Sequence, residues 1–323
     1  MKRRNFLKNT ALTTLGASLV SPLMAMAESN EVTHLESEDL SASSLKDEYD
    51  VHFIAIGDWG RNGEYDQTEV AKQMGLWALN NPNDFVVSVG DNFYPRGVVS
   101  EHDPLWHYSF ENIYTAHSLQ CDWYPVLGNH DYGSDTEAQI RYSKVSRRWC
   151  MPALYYSKQY KLGDNDKLLM LFIDTDPMMH AERKAQVEQQ MVWIDEQLRN
   201  APADVKWKII VGHHPYYTVG PRIKNYDTLT VREKLSPVFA KYKVDVYLSG
   251  HDHSLQHLKP EGVTHQFISG AGSELTQVTE GVPYSRFQAS DHGFMCFAIN
   301  KDKINVKAIN ANGKVLYQTE LKK

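Results

Sequence analysis

Cysteine is scarce in this chain: three residues in 323, Cys121, Cys150 and Cys296. They cannot all pair internally, and none has the close spacing of zinc ligands, so no thiolate metal centre organises the protein. Cys121 and Cys150 can pair in an oxidising compartment, but sequence gives no distance between them, and the pairing stays open. Cys296 falls in the apolar run 294–299 and reads as a buried core thiol. Uninterrupted apolar runs are also missing. The stretch ending at Leu23 carries Thr13, Thr14, Ser18 and Ser21, which makes it a poor permanent membrane span. Positive charge is not in excess: the net charge of −6 argues against nucleic acid as a partner. There is no internal repeat. The remainder is ordinary globular composition, with 42% hydrophobic and 23% charged residues, in a chain long enough for a large core.

The N-terminus stands apart from that fold. Lys2-Arg3-Arg4-Asn5-Phe6-Leu7-Lys8 is a basic head, an apolar stretch follows, and Ala25-Met26-Ala27 has the small-x-small form of a cleavage site. Residues 1–27 therefore read as a cleaved signal peptide, and the paired arginines resemble the twin-arginine export signal. That route carries proteins that are already folded. No cysteine lies near the cleavage point, which argues against a lipoprotein anchor. The expected location is exported, periplasmic or secreted. Loss of Lys2, Arg3, Arg4 and Lys8 takes the net charge from −6 to −10. Residues 28–50, rich in serine and acids with no apolar period, read as a flexible lead-in. No boundary follows, so 51–323 is expected to be one domain.

Within that domain, short apolar runs predict strands at 51–56, 84–89, 123–127, 168–173, 207–211 and 244–248. Helical spacing lies between them. Val70, Met74 and Trp77 mark one helix, stopped before Pro82. Val187, Met191, Ile194 and Leu198 mark a second, and Val231, Leu235, Val238 and Tyr242 a third that Pro237 must break or kink. After Thr264 only strands are expected, at 266–268, 294–299, 304–309 and 315–319, with Asn312-Gly313 as the turn between the last two. The predicted class is α/β: a β-sandwich flanked by helices in αββα layers, with its site at the C-terminal ends of strands.

Those strand ends carry the informative residues. The runs close on Gly57-Asp58-Trp59-Gly60, Gly90-Asp91-Asn92-Phe93-Tyr94, Gly128-Asn129-His130-Asp131, Gly212-His213-His214-Pro215 and Gly250-His251-Asp252-His253. Singly each block is unremarkable; in this order, each at a strand end, they form one dinuclear metal site. Hydrolysis of a phosphate ester needs an activated water and cancellation of phosphoryl charge. Two metals about 3.5–4 Å apart supply both, if a carboxylate bridges them and oxygen and nitrogen ligands complete each side.

The blocks resemble those of the calcineurin-like metallophosphoesterases, and Gly-Asp-Asn-Phe-Tyr narrows the resemblance to purple acid phosphatases. The small, single-domain, tartrate-resistant animal type is the most similar. The resemblance spans nearly all of the mature chain, including 138–144 with Arg148-Trp149, and 250–258. It implies that Asp58, Asp91, Tyr94 and His253 hold a ferric ion. Asp91 would bridge to a divalent iron, zinc or manganese held also by Asn129, His213 and His251. Phenolate and carboxylate oxygens suit the hard trivalent ion, amide and imidazole groups the divalent one. The implied activity is acid phosphatase hydrolysis of small phosphate monoesters by a metal-bound hydroxide, with colour from the Tyr94 phenolate.

His130 is the candidate to contact phosphate or protonate the leaving group, and Asn129 also faces substrate. His214 departs from the family, where tyrosine is common. It is either a substrate contact or a ring lining the pocket. Asp131 and Asp252 read as supports for neighbouring groups. The polar stretch 133–151, with Arg141, Lys144, Arg147 and Arg148, is either a solvated cover over the site mouth or an attractor of anionic substrate. Trp59, Trp106, Trp149 and Trp193 read as packing. The alternatives are a phosphodiesterase or phospholipase on the same metals, a metal-binding surface protein without turnover, and peroxide chemistry as a side activity.

Overall fold

The computed structural model describes residues 48–323. The signal-peptide reading of 1–27, and the lead-in up to residue 47, lie outside the described residues. Among the described residues, thirteen strands form two sheets. The first has six strands in the order β13 (Val315–Lys322), β12 (Lys303–Asn310), β11 (Gly293–Ile299), β1 (Val51–Ile56), β2 (Phe85–Ser88) and β3 (Asp122–Pro125). The second has seven: β10 (Ser285–Ala289), β8 (Leu255–Leu258), β9 (His265–Ser269), β7 (Val246–Ser249), β6 (Val205–Val211), β5 (Asp166–Phe172) and β4 (Tyr156–Leu162).

Helices make the parallel crossovers. α1 (Gln67–Asn80) links β1 to β2, which pair in parallel, and α2 (Thr136–Tyr142) follows β3. α3 (Lys184–Arg199) links β5 to β6 and α4 (Tyr226–Tyr242) links β6 to β7, both parallel pairs. The hydrophobic alternation of the strands sets the layers. Leu168, Met170 and Phe172 of β5 join Phe53, Val87 and Trp123 of the other sheet in the central core, as do Ile209 and Val211 of β6. Leu169, Leu171 and Ile210 point the other way, against Val187, Ile194 and Leu198 of α3 and Val231, Leu235 and Phe239 of α4. Each such side chain contributes about 2 kcal/mol on burial, so the period-two pattern fixes the register of both faces.

The αββα architecture agrees with the sequence reading, with three additions. β4, β8 and β10 were not anticipated: β4 and β10 are edge strands with mixed exposure, and β8 buries the polar side chains Gln256 and His257. Pro237 does not end its helix, because α4 runs on to Tyr242 and closes at Lys243 in the left-handed region. The stretch 133–151 is less solvated than its polarity suggests. Ala138, Gln139, Tyr142, Arg148 and Trp149 are buried. Cys121, Cys150 and Cys296 are free thiols, and Cys296 is only partly buried. Trp59, Trp106 and Trp149 are core residues, and Trp193 packs at the edge of the α3–α4 layer.

Candidate metal centre

Parallel strands deliver their C-terminal ends to one place, and every predicted donor sits just beyond such an end. Asp58 follows β1, Asp91 and Tyr94 follow β2, Asn129 follows β3, His213 follows β6, and His251 and His253 follow β7. The turns are tight. Asp58, Asp91 and His251 all take positive φ, at 59°, 50° and 70°, a region that non-glycine residues enter at a cost. Gly90, at φ 96°, also leaves no room for a side chain: a Cβ there would lie 2.5 Å from His213 Nδ1.

The donors form two groups that share one atom. Tyr94 Oη lies 3.0 Å from Asp91 Oδ2, 3.3 Å from Asp58 Oδ1 and 3.2 Å from His253 Nε2. On the other side, His213 Nε2 lies 3.4 Å from the same Asp91 Oδ2, 3.3 Å from Asn129 Oδ1 and 3.2 Å from His251 Nδ1. The remaining atoms of these groups are held elsewhere. His213 Nδ1–H donates to the Val89 carbonyl at 2.9 Å, so its Nε2 lone pair faces the cluster. His251 Nε2–H donates to Asp227 Oδ2 at 2.7 Å, which turns Nδ1 inward. Both Asp58 oxygens accept the His251 backbone N–H, at 3.1 and 3.0 Å.

This set fits two cations. One phenolic proton cannot serve the two carboxylate oxygens that face it, and His253 Nε2 faces the same oxygens. The electrostatics give the same answer. Burial pushes the Asp58 carboxyl well above its usual range, more than the nearby His213 can offset. Burial also works on Asp91, but His213, His130 and His251 outweigh it and hold that carboxyl well below the usual range. Burial and both carboxylates drive the Tyr94 phenol far up, with Arg61 acting against them. Burial disfavours charge on His213, yet Asp91 and Asp58 raise it to about 9. Burial lowers His253 to about 4. The ring nitrogens beside the carboxylates are thus basic or free lone pairs, and the Asp58 carboxyl lacks enough positive charge to offset its burial.

His130 sits at the rim. Its Nδ1–H donates to the Pro95 carbonyl at 2.7 Å, and its ring lies on that of Tyr94, 4.4 Å between centroids. His214 is buried against both the His213 and His251 rings, with Nδ1 2.8 Å from the Thr175 hydroxyl. His213, His214 and His251 each present a nitrogen within 4.8 Å of the others, as Asp58, Asp91 and His253 do with their ligand atoms. Asp131 knots two loops, accepting from the backbone of Asn92, Phe93 and Gly128. Asp252 accepts from Thr218 and from Arg222 Nη1, the latter at 2.8 Å. The arginines of 133–151 are spoken for: Arg141 pairs with Glu101 and Asp135, Arg147 bonds Gln120, and Arg148 is buried on Glu111.

Several residues at the site escaped the sequence reading. Asp227 orients His251, Thr175 receives both His213 and His214 backbone N–H groups, and Arg61 lies over Tyr94. Tyr132 donates to Asp174, whose carboxyl burial raises to about 7. None of these belongs to a Gly-ligand block, and only the partner across space reveals its role.

This fold and this pairing of donor groups define a dimetal phosphoesterase, and the comparisons with known proteins agree. The calcineurin-like phosphoesterase family matches residues 51–255. Purple acid phosphatase 17 of Arabidopsis thaliana is 37% identical over 296 residues, covering 84% of this chain and 85% of the relative. Tartrate-resistant acid phosphatase type 5 of Oryctolagus cuniculus is 33% identical, covering 84% and 91%. Among solved structures, the Plasmodium inner-membrane-complex anchor GAP50 superposes with a TM-score of 0.77 at 25% identity, over 84% of this chain and 88% of that one. The purple acid phosphatase from yellow lupin seeds superposes at 0.63 with 17% identity, over 84% and 53%, a likeness of fold alone. The chain belongs to the purple acid phosphatases of the calcineurin-like phosphoesterase family.

Proposed function

We propose that the protein is an exported acid phosphatase that hydrolyses small phosphate monoesters at a dinuclear centre of one trivalent and one divalent metal. The observation that carries the reading is Asp91 Oδ2, common to an oxygen-rich donor group and a nitrogen-rich one. Asp58, Asp91, Tyr94 and His253 would hold iron(III), and Asp91, Asn129, His213 and His251 a divalent iron, zinc or manganese. When bound, the two ions lower the pKa of water and neutralise phosphoryl oxygens.

The chain's own residues do the rest. The Val89 carbonyl and Asp227 fix the tautomers of His213 and His251. Because Nδ1 of His130 is committed to Pro95, its Nε2 is the nitrogen left for the substrate. In the imidazolium form that nitrogen holds a proton for the departing alkoxide. Asn129, beside it, keeps an amide N–H for a phosphoryl oxygen, and His214 lines the His213–His251 side of the pocket.

Fold alone does not decide turnover, since a neighbour with this architecture is named an anchor. The full set of donors with His130 favours catalysis over a metal-binding surface role, and Tyr94 favours a monoesterase over a diesterase. Export rests on the twin-arginine-like head and the Ala-Met-Ala site of residues 1–27; among the described residues no helix is long and apolar enough to cross a membrane. We take the catalytic domain to span 51–323, of which the family match covers 51–255. Metal analysis and a visible spectrum of freshly purified protein, with aryl phosphate monoester and diester assays across pH, test the reading. Two metal equivalents, a visible band and faster monoester turnover at acid pH are expected. Protein that binds two metals and hydrolyses neither ester would overturn it.

A further inference from the structure

Two side chains pack against the Tyr94 ring: the His130 imidazole, tilted by 46° with 4.4 Å between centroids, and the Arg61 guanidinium, its Cζ 3.7 Å from the ring centroid. Arg61 comes from the turn after β1, three residues beyond Asp58, and its side chain is 18% exposed. One end of its fork is tied to Glu274 Oε2 at 2.6 Å, whereas its Nε is buried with no hydrogen-bond partner. A guanidinium that leaves a buried N–H unpaired while sitting over a ring has taken the π face as its partner.

We infer that Arg61 is a tuning residue: its charge on the Tyr94 ring sets the donor strength of the phenolate, and with it the colour and reduction potential of the trivalent site. The inference rests on the reading of Tyr94 as an iron ligand. A cation on the ring withdraws electron density from the phenolate π system. It stabilises the donor orbital more than an acceptor beyond the hydroxyl oxygen, so it moves a phenolate-to-iron band to shorter wavelength. A nearby positive charge also favours the reduced, less positive ion, so it raises the potential. Glu274 offsets part of that charge, so the pair Arg61–Glu274 acts as an adjustable dipole beside the ring.

The test uses the iron-loaded full chain. Visible spectra and reduction potentials are measured for wild type, Arg61→Gln, Arg61→Lys and Glu274→Gln. Arg61→Gln is expected to move the band to longer wavelength and lower the potential, and Arg61→Lys to fall between it and wild type. Glu274→Gln is expected to shift both readouts the opposite way, which loss of a merely structural contact would not do. Variants that retain iron but keep the wild-type band and potential would overturn the inference and leave the ligand reading intact. An iron-loaded wild type without a visible band would overturn the ligand reading, and the inference with it.

Discussion

His130 donates its backbone N–H to Asp91 Oδ1 at 2.9 Å, and this bond decides which carboxylate oxygen is free. Oδ2 is then turned toward Tyr94 on one side and His213 on the other. The residue proposed to face the substrate through its side chain therefore also orients the shared ligand through its main chain. A Cβ at Gly128 would come within 2.1 Å of Asp91 Oδ1, so the loop that supplies Asn129 and His130 can approach only because that position is glycine.

Asp91→Ala removes the atom common to both donor groups. Metal content is expected to fall from two equivalents to none after purification, with loss of turnover, because each ion is left a ligand short. Elemental analysis decides it, and a variant that keeps two equivalents contradicts the bridging role.

Tyr94→Phe separates colour from fold. The phenol is buried, but its ring packing against Arg61 and His130 survives the loss of one oxygen. The visible band should vanish while circular dichroism and the unfolding midpoint stay close to wild type. Persistence of the band would defeat the ligand assignment.

Asp227→Ala probes the histidine that carries the divalent side. Without the 2.7 Å bond to Nε2, His251 loses the partner that fixes its ring and raises its basicity. Affinity for the second metal should drop about 10–100-fold, the usual effect of removing such a partner. Metal titration of the iron-loaded protein measures it, and the Tyr94 band, which belongs to the other donor group, should remain.

The ligand blocks were legible because each couples a buried strand to a glycine turn, and both leave marks in sequence: an apolar run, then Gly with an oxygen or nitrogen donor. Asp227 and Thr175 left no such mark. Asp227 reads as an ordinary acid in the first turn of α4, and only the packing of that helix brings it to His251. β8 was missed because Gln256 and His257 make its sequence look solvated, although both are buried on side-chain partners. The arginines of 133–151 misled in the opposite sense. Arg148 is an interior cation, balanced by Glu111, and its charge says nothing about the surface. Of the break or kink expected at Pro237, the break does not occur: α4 runs on to Tyr242, with Val231, Leu235 and Phe239 packed in the same layer as the seven-stranded sheet.

The same strand β8 sets an acid limit away from the metals. His257 is buried between Phe267, on which it stacks at 4.2 Å, and the Tyr317 hydroxyl, with Nε2 2.9 Å from His265 Nδ1. Burial, then the charges of His265, Arg286 and Lys259, lower its pKa from 6.5 to about 3. In the unfolded chain it titrates near 6.5, so below that pH the unfolded state binds a proton that the folded state refuses. Stability from this group is present above 6.5 and is lost as pH falls toward 3, a loss on the order of 2–3 kcal/mol by pH 4.5. His257→Phe keeps the stacked ring and removes the titration. Urea unfolding at pH 7 and 4.5 should show a smaller acid loss in the variant than in wild type. Equal losses would mean that the imidazole is already protonated in the folded protein at the acid pH where a phosphatase of this kind works.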